Sequence, residues 1–379
     1  MKSKILNKTA QIIPGLFGPP AGNGRLLQER NRLPNHEGKS KVRESTIYFQ
    51  PAETLYRKWP APTCIIVDGP YGVAGFPGDL PAHGNLAEWY KPHIEQWSKY
   101  STPRTTLWFW CTEIGWATVH PIFVRNEWEY RACHVWDKGM SHVAGNSNTQ
   151  TLRKLPVVTE VCVQYIKPPR FEIAGCSLSM QDWLRYEWKR TGLPFHLANE
   201  ACEVANAATR KYLTADHLWY YPPPEAFEKL ARFANEHGRP EGKPYFSTDR
   251  LAPISATDWS KLRAKFKCEA GVTNVWREPQ VSGIERIQGQ RNGMRYKFAS
   301  LHGSQKPRRL IELLIRTCTD ESDVVWEPFG GLCPGAVVCC DLNRKYYAAE
   351  ILPEFYAAAV ERLNNHAKAT RPSGEKRTR

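Results

Sequence analysis

The sequence predicts an α/β fold built on a mainly parallel sheet. Short apolar runs rich in β-branched and aromatic residues recur along the chain, they stop at turns, and segments of helical spacing lie between them. The first run, Thr63-Cys-Ile-Ile-Val67, ends at Asp68-Gly69-Pro70, as a buried parallel strand does. Leu86 to Lys99 then has helical spacing, and Thr106-Leu-Trp-Phe-Trp-Cys111 is the next run. Tyr130 to Trp136 and Glu160 to Ile166 follow as strands. Further on come a helix from Arg308 to Thr317, a strand from Asp323 to Glu327, a strand from Tyr346 to Glu350 and a helix from Pro353 to Asn364. Between Phe171 and Val275 the pattern is helical, then Pro-rich and polar, and reads as an insertion between two halves of the α/β domain.

The chain has 379 residues and a formal charge of +14. An excess of Lys and Arg favours a polyanionic partner, because each phosphate neutralised releases counterions. Residues 1–45 read as a loose basic arm and residues 365–379 as a disordered basic tail. Eleven cysteines without zinc-type spacing exclude a structural zinc module and read as free thiols, so no metal is expected. No apolar run approaches the ~20 residues of a membrane span, and the N-terminus lacks the apolar core of a signal peptide. Both point to a cytoplasmic protein without a membrane partner.

Three stretches carry chemistry. In an open α/β sheet, ligands bind beyond the carboxyl ends of strands, and Asp68-Gly69-Pro70-Tyr71 stands there. An ionised Asp68 carboxylate and the Gly69 carbonyl are two acceptors for the two N–H donors of an amino group. Its lone pair then turns toward an electrophile, and Tyr71 can stack on the ring bearing the amine. Leu301-His-Gly-Ser-Gln-Lys-Pro307 opens a helix, with Ser304 as the expected N-cap and Lys306 beside a terminus that suits a carboxylate. Glu327-Pro-Phe-Gly-Gly331 is a glycine turn after a strand, and Glu350 ends the next strand, where a ribose-binding acid belongs.

In this order and spacing the stretches resemble the amino-group (N6-adenine / N4-cytosine) DNA methyltransferases of the permuted class, with the catalytic D-x-P-Y motif ahead of the cofactor-binding F-x-G motif. The resemblance covers about residues 46–168 and 275–363. It includes Trp136-Asp-Lys-Gly139 with Glu160, and the run from Ala348 to Tyr356. It implies a Rossmann-like fold that uses S-adenosyl-L-methionine, divided into a catalytic half (46–168), a mostly helical target-recognition insertion (169–275) and a cofactor half (276–364). Asp68, Gly69, Pro70 and Tyr71 would form the amine site. Glu327, Phe329, Gly331 and Glu350 would hold the cofactor, with Ser304 and Lys306 near its carboxylate. The chain departs from the family pattern at Gly69 for a proline, at Glu327 for an aspartate, at Leu332-Cys-Pro334 for small residues, and at Gln50-Pro-Ala-Glu53 for an acid-bearing turn.

Residues 195–213 resemble a helix-turn-helix whose second helix, from about Asn206, would present Asn206, Thr209, Arg210 and Lys211 to base edges and phosphates. Arg185, Lys189 and Arg190 would add charge nearby. The expected partner is double-stranded DNA, with a cognate restriction endonuclease and a homodimer left open. Adenine N6 is favoured because Asp opens the motif, where cytosine-N4 enzymes more often carry Ser. The alternatives are cytosine N4 and, in another class, a DNA-binding regulator with a degenerate methyltransferase domain. A protein-glutamine methyltransferase is disfavoured, because its glycine-rich half comes first. No Pro-Cys motif suggests a C5-cytosine enzyme.

Overall fold

The computed structural model describes residues 38–74, 77–140, 152–240, 242–291, 294–301 and 303–370. Its main sheet has nine strands. In chain order these are β1 (Gly38–Val42), β2 (Ser45–Phe49), β3 (Cys64–Val67), β4 (Thr106–Cys111), β5 (Glu129–Asp137), β6 (Thr159–Ile166), β9 (Val275–Arg277), β12 (Val324–Glu327) and β13 (Lys345–Glu350). Across the sheet the order is β1-β2-β13-β12-β3-β4-β6-β5-β9. β2, β13, β12, β3 and β4 run parallel. β6 is antiparallel to both β4 and β5.

Every apolar run named above is a strand, and the burial explains why those runs are legible. β3 and β4 are buried at every residue. A strand covered on both faces must be apolar throughout. The helices that flank the sheet are α1 (Leu86–Tyr100), α2 (Glu113–Arg125), α7 (Arg308–Cys318), α8 (Pro334–Asp341) and α9 (Pro353–Ala369). In α7 the buried residues Leu310, Ile311, Leu314, Ile315 and Cys318 fall on one stripe, as helical periodicity requires.

Three expectations need correction. Residues 38–45 are not a loose arm: β1 and β2 form an antiparallel hairpin on the sheet edge, and β2 pairs in parallel with β13 from Ser45↔Tyr346 to Phe49↔Glu350. β1 is a charged edge strand alternating half-buried and exposed residues, a pattern that protects an edge and hides it from an apolar search. The rest of the expected arm, 1–37, lies outside the described residues. At the other end α9 continues to Ala369, past Asn364, so the tail begins later than expected. Arg43 in the β1–β2 turn binds the carbonyls of Ala367 and Thr370, both at 3.3 Å, and satisfies that helix end. Residues 371–379 are outside the description. Finally, Ser304 does not cap α7. The helix begins at Arg308, and its first N–H is taken by Glu285 Oε1 at 2.6 Å.

The stretch between β6 and β9 has a core of its own. It holds β7 (Phe171–Ile173), β8 (Cys176–Leu178), α3 (Met180–Arg190), α4 (Leu197–Ala201), α5 (Pro224–His237) and α6 (Ala256–Ser260). Phe171 stacks on Trp183 at 4.2 Å and Phe227 on Trp259 at 3.9 Å, among buried Leu184, Trp188, Leu230 and Phe246. β10 (Gln288–Arg291) and β11 (Met294–Ser300) form a separate two-stranded ribbon ahead of α7. Among the described residues no helix is long and apolar enough to cross a membrane.

Candidate functional site

The sheet order creates the site. β12 lies between β13 and β3. The connection from β12 through α8 leads to β13 on one side, and that from β3 through α1 leads to β4 on the other. A crevice opens where connections diverge, beyond the carboxyl ends of the two strands. The turn after β3 carries Asp68 to Tyr71, and the turn after β12 carries Pro328 to Gly331. Stretches far apart in the chain meet at one switch point.

Asp68 ends β3 with its side chain 18% exposed, and two groups bind its Oδ1: the Tyr71 hydroxyl at 2.9 Å and the Lys306 ammonium at 2.8 Å. Gly69 must lack a side chain here. A Cβ would lie 2.6 Å from Tyr90 Oη and 2.7 Å from Phe329 Cδ2. Tyr90 on α1 donates to the Pro70 carbonyl at 3.1 Å and occupies the room a proline ring would need. The loop after Tyr71 is wrapped on Asp79, which sequence reasoning did not find. Asp79 Oδ1 accepts from the N–H groups of Tyr71 and Gly72, each at 2.7 Å, and of Leu80 at 2.8 Å; Oδ2 accepts from Val73 at 2.9 Å. Gly72 adopts φ +70°, so the turn can close.

Lys306 is placed differently from the expectation. Its ammonium is buried against Asp68 and against Glu160 Oε2 at 3.3 Å, not left beside a helix terminus. Glu160 opens β6, whose antiparallel course brings that end to the same edge, and Lys138 pairs with its Oε1 at 2.9 Å. Burial alone would push the Glu160 carboxyl up, but Lys306 and Lys138 hold it below the ordinary range. Burial likewise works against the Lys306 ammonium, and Asp68 and Glu160 overcome it and raise its pKa. The Tyr71 phenol is driven up by burial and then by the Asp68 and Glu160 charges, so it stays neutral.

On the other side of the crevice, Phe329 packs between the two halves, with ring centroids 5.1 Å from Trp89 and 5.0 Å from His93 on α1. Gly331 has φ +52° and donates to Glu350 Oε2 at 2.7 Å. Glu350 Oε1 accepts from Ile351 and Leu352 at 2.8 and 2.7 Å. Burial pushes Glu350 up to about 7 in spite of these donors. An ionised carboxylate has about four acceptor positions, so three backbone donors leave room for a ribose hydroxyl. That donor set, with the Phe329 ring and the turn, fits the nucleoside part of S-adenosylmethionine. Glu327 turns away from the crevice. It is fully buried beneath α8, where the Tyr346 hydroxyl and Gly335 N–H donate to it, and burial pushes it up to about 8. A Cβ on Gly335 would lie 2.7 Å from its Oε2, so the glycine is what lets the carboxylate close beneath the helix. Cys333 takes a left-handed conformation as N-cap and Pro334 the first turn, which accounts for Leu332-Cys-Pro334 as a tight, buried helix start.

The helix-turn-helix expectation is met only in outline. α4 has five residues, and Ala208–Tyr212 is a five-residue π-wound turn. Asn206, Arg210 and Lys211 are exposed. Thr209 is occupied inside the hairpin, where its N–H donates to Asn199 Oδ1 at 3.1 Å. Arg185 binds the Leu213 carbonyl and Arg190 pairs with Glu187 at 2.7 Å, so these two brace the insertion itself. Lys189 is exposed.

An α/β domain with a D-x-P-Y loop and a glycine turn on opposite sides of a switch point is a nucleotide-cofactor transferase fold of the methylase type. The N6/N4 methylase family model, described as DNA methylase, matches residues 63–361, and the chain belongs to that family. It is similar to the Type II methyltransferase M.XycI of Xanthomonas campestris pv. cyanopsidis, at 38% identity over 66 residues, 17% of this chain and 22% of that protein. It is similar to M.ScaI of Streptomyces caespitosus at 26% identity over 167 residues, 42% of this chain and 52% of the relative. The chain thus spans from about a fifth to about half the length of these relatives. Among solved structures, PvuII DNA methyltransferase (cytosine-N4-specific) superposes with a TM-score of 0.47 at 11% identity, covering 88% of this chain and 95% of that one. The M1.HpyAVI–SAM complex gives 0.46 at 14%, covering 84% and 98%.

Proposed function

We propose that this chain transfers a methyl group from S-adenosylmethionine to the exocyclic amine of a base flipped out of double-stranded DNA, with adenine N6 as the amine. The observation that carries this reading is Asp68 at the switch point, bound through Oδ1 by Tyr71 and Lys306, with no bond to Oδ2 among the described residues. Oδ2 and the Gly69 carbonyl then accept the two amine N–H groups. Held so, the amine lone pair leaves ring conjugation and points across the crevice toward Phe329 and Gly331. When bound, S-adenosylmethionine would supply the electrophilic methyl group, whose bond to sulfur breaks as the bond to nitrogen forms and leaves a neutral thioether. The residues act by alignment and charge, and the proton released by the methylated nitrogen passes to Asp68 and on to water. Flipping the base costs a few kcal/mol, which contacts of the basic chain to phosphate offset. Glu350 holds the ribose, Phe329 and Gly331 shape the cofactor turn, Ser304 lines its far end, and Tyr71 sets the Asp68 geometry beside the base. Asn206, Arg210 and Lys211 meet DNA.

The buried free thiols suit a reducing cytosol. The Type II names of the relatives support a restriction endonuclease as partner. The test is transfer of labelled methyl to unmethylated DNA, followed by digestion to nucleosides. Label in N6-methyldeoxyadenosine supports the reading; label in N4-methyldeoxycytidine moves the target to cytosine. DNA binding without any transfer establishes a regulator with a degenerate domain and overturns the enzyme.

A further inference from the structure

We propose that Lys306 is the positioning residue for Asp68, and that Glu160 is its counter-charge, so that the amine acceptor is fixed by a buried cluster of zero net charge. The inference rests on Asp68 as the amine acceptor, and it assigns Lys306 a role other than holding the cofactor carboxylate.

The ammonium has three N–H donors, and three acceptors surround it: Asp68 Oδ1 at 2.8 Å, Glu160 Oε2 at 3.3 Å and the Ser304 carbonyl at 3.3 Å. The rings of Tyr71, Trp110 and Trp136 box it, with centroids at 5.2, 5.3 and 6.0 Å, in the geometry of cation–π contact. Its side chain is 1% exposed. A lysine so enclosed has no donor left to reach a ligand. What it does reach is one oxygen of Asp68, which holds Oδ1 and leaves Oδ2 for the proposed amine.

The charges of the cluster are two anions, Asp68 and Glu160, and two cations, Lys306 and Lys138. This balance matters because methylation makes the amine nitrogen transiently cationic. A lone ammonium beside Asp68 would raise that barrier. Glu160 cancels it, and Lys138, 2.9 Å from Glu160 Oε1, keeps Glu160 ionised. The other titratable groups facing Asp68 do not compete. Burial drives Tyr71, Tyr90, Cys111 and Cys162 up, so they stay neutral, and Glu327 is uncharged below about 8.

Two substitutions in the full chain should move the acid limb of the kcat/KM–pH profile in opposite directions. Lys306→Met removes the cation and should raise the acid limb of the kcat/KM–pH profile. Glu160→Gln leaves Lys306 unshared on Asp68 and should lower it. In both, kcat at the plateau should fall about 100-fold, the usual cost of a misplaced reacting group, while the Kd for S-adenosylmethionine stays within about threefold. Thermal melts check folding; if Lys306→Met does not fold, the Glu160→Gln limb carries the test. Acid limbs that stay put, or move together, overturn the proposal. So does a Lys306→Met chain with weakened cofactor binding and normal kcat, which would make Lys306 a cofactor ligand. A wild-type chain that transfers nothing overturns the amine reading first, and this inference falls with it.

Discussion

Gly69 backs directly onto Tyr90: a Cβ at Gly69 would lie 2.6 Å from the phenol oxygen, closer than any side chain tolerates. The two positions are therefore matched. A glycine in the loop and a tyrosine on α1 fill the volume that a proline with a smaller neighbour would fill. Gly69→Ala should destabilise the protein by about 1–3 kcal/mol, the usual cost of overpacking. Tyr90→Phe removes the oxygen but leaves Phe329 2.7 Å from the same point. In a double-mutant cycle by urea unfolding it should recover only part of the loss, with non-additive energies. Full additivity would show that the two side chains do not compete for space.

The two acids of the cofactor side should separate in function. Glu350 faces the crevice, and Glu350→Gln should raise the Kd for S-adenosylmethionine about tenfold, the worth of one charged hydrogen bond. Glu327 is folded beneath α8, and Glu327→Gln should change that Kd far less. Calorimetric titration of both variants distinguishes them.

Glu327 also sets a pH dependence of stability. Its carboxyl titrates at about 8 in the native chain, against an ordinary value of 4.5. Between these the native state holds a proton that the unfolded state has lost, so stability falls as pH rises through this window. It is fully present below 4.5 and gone above about 8. Wild-type Tm should therefore decline up to about pH 8, with Glu350, raised to about 7, adding to the decline below that, and Glu327→Gln should flatten the part between about 7 and 8. Parallel declines in the two proteins would place the titrating group elsewhere.

Asp79 holds four backbone N–H groups, and Asp79→Ala leaves them to water. Residues 71–73 and Leu80 should then loosen. We expect kcat to fall at least tenfold, with faster amide exchange at residues 71–73 and an unchanged sheet core.

Arg210 and Lys211 are exposed cations on the hairpin of the insertion. If they contact phosphates, each substitution to Ala lowers the slope of log Kd against log salt by about 0.9. An unchanged slope would remove the hairpin from the DNA surface.

Much of the fold was legible because fully buried strands have no freedom of composition: β3 and β4 can only be apolar. The turns at Asp68 and Gly331 were legible because they follow such strands. The β1–β2 hairpin was not, since Lys39 and Lys41 on an edge strand and Arg43 in its turn look the same as a solvated arm. Nor was Asp79, whose partners are backbone groups that leave no side-chain pattern. The partner of Lys306 could not be read either, because Asp68 lies 238 residues away and only the closed sheet brings them together. Glu327 misled for a related reason: a carboxylate ending a strand beside a glycine turn can face the crevice or the core, and Gly335 and Tyr346 decide for the core.

The most direct test of the account is nucleoside mass spectrometry, with methylation mapping, on the DNA of a methylation-free host expressing either the wild-type chain or Asp68→Asn. Removing one charged acceptor at the reacting amine should lower the rate about 100- to 1000-fold. We expect N6-methyladenine at one recurring sequence motif with the wild type and background levels with Asp68→Asn, both chains folded and binding S-adenosylmethionine equally. Equal methylation by both chains would contradict it, since Asp68 would then not be the group that holds the amine.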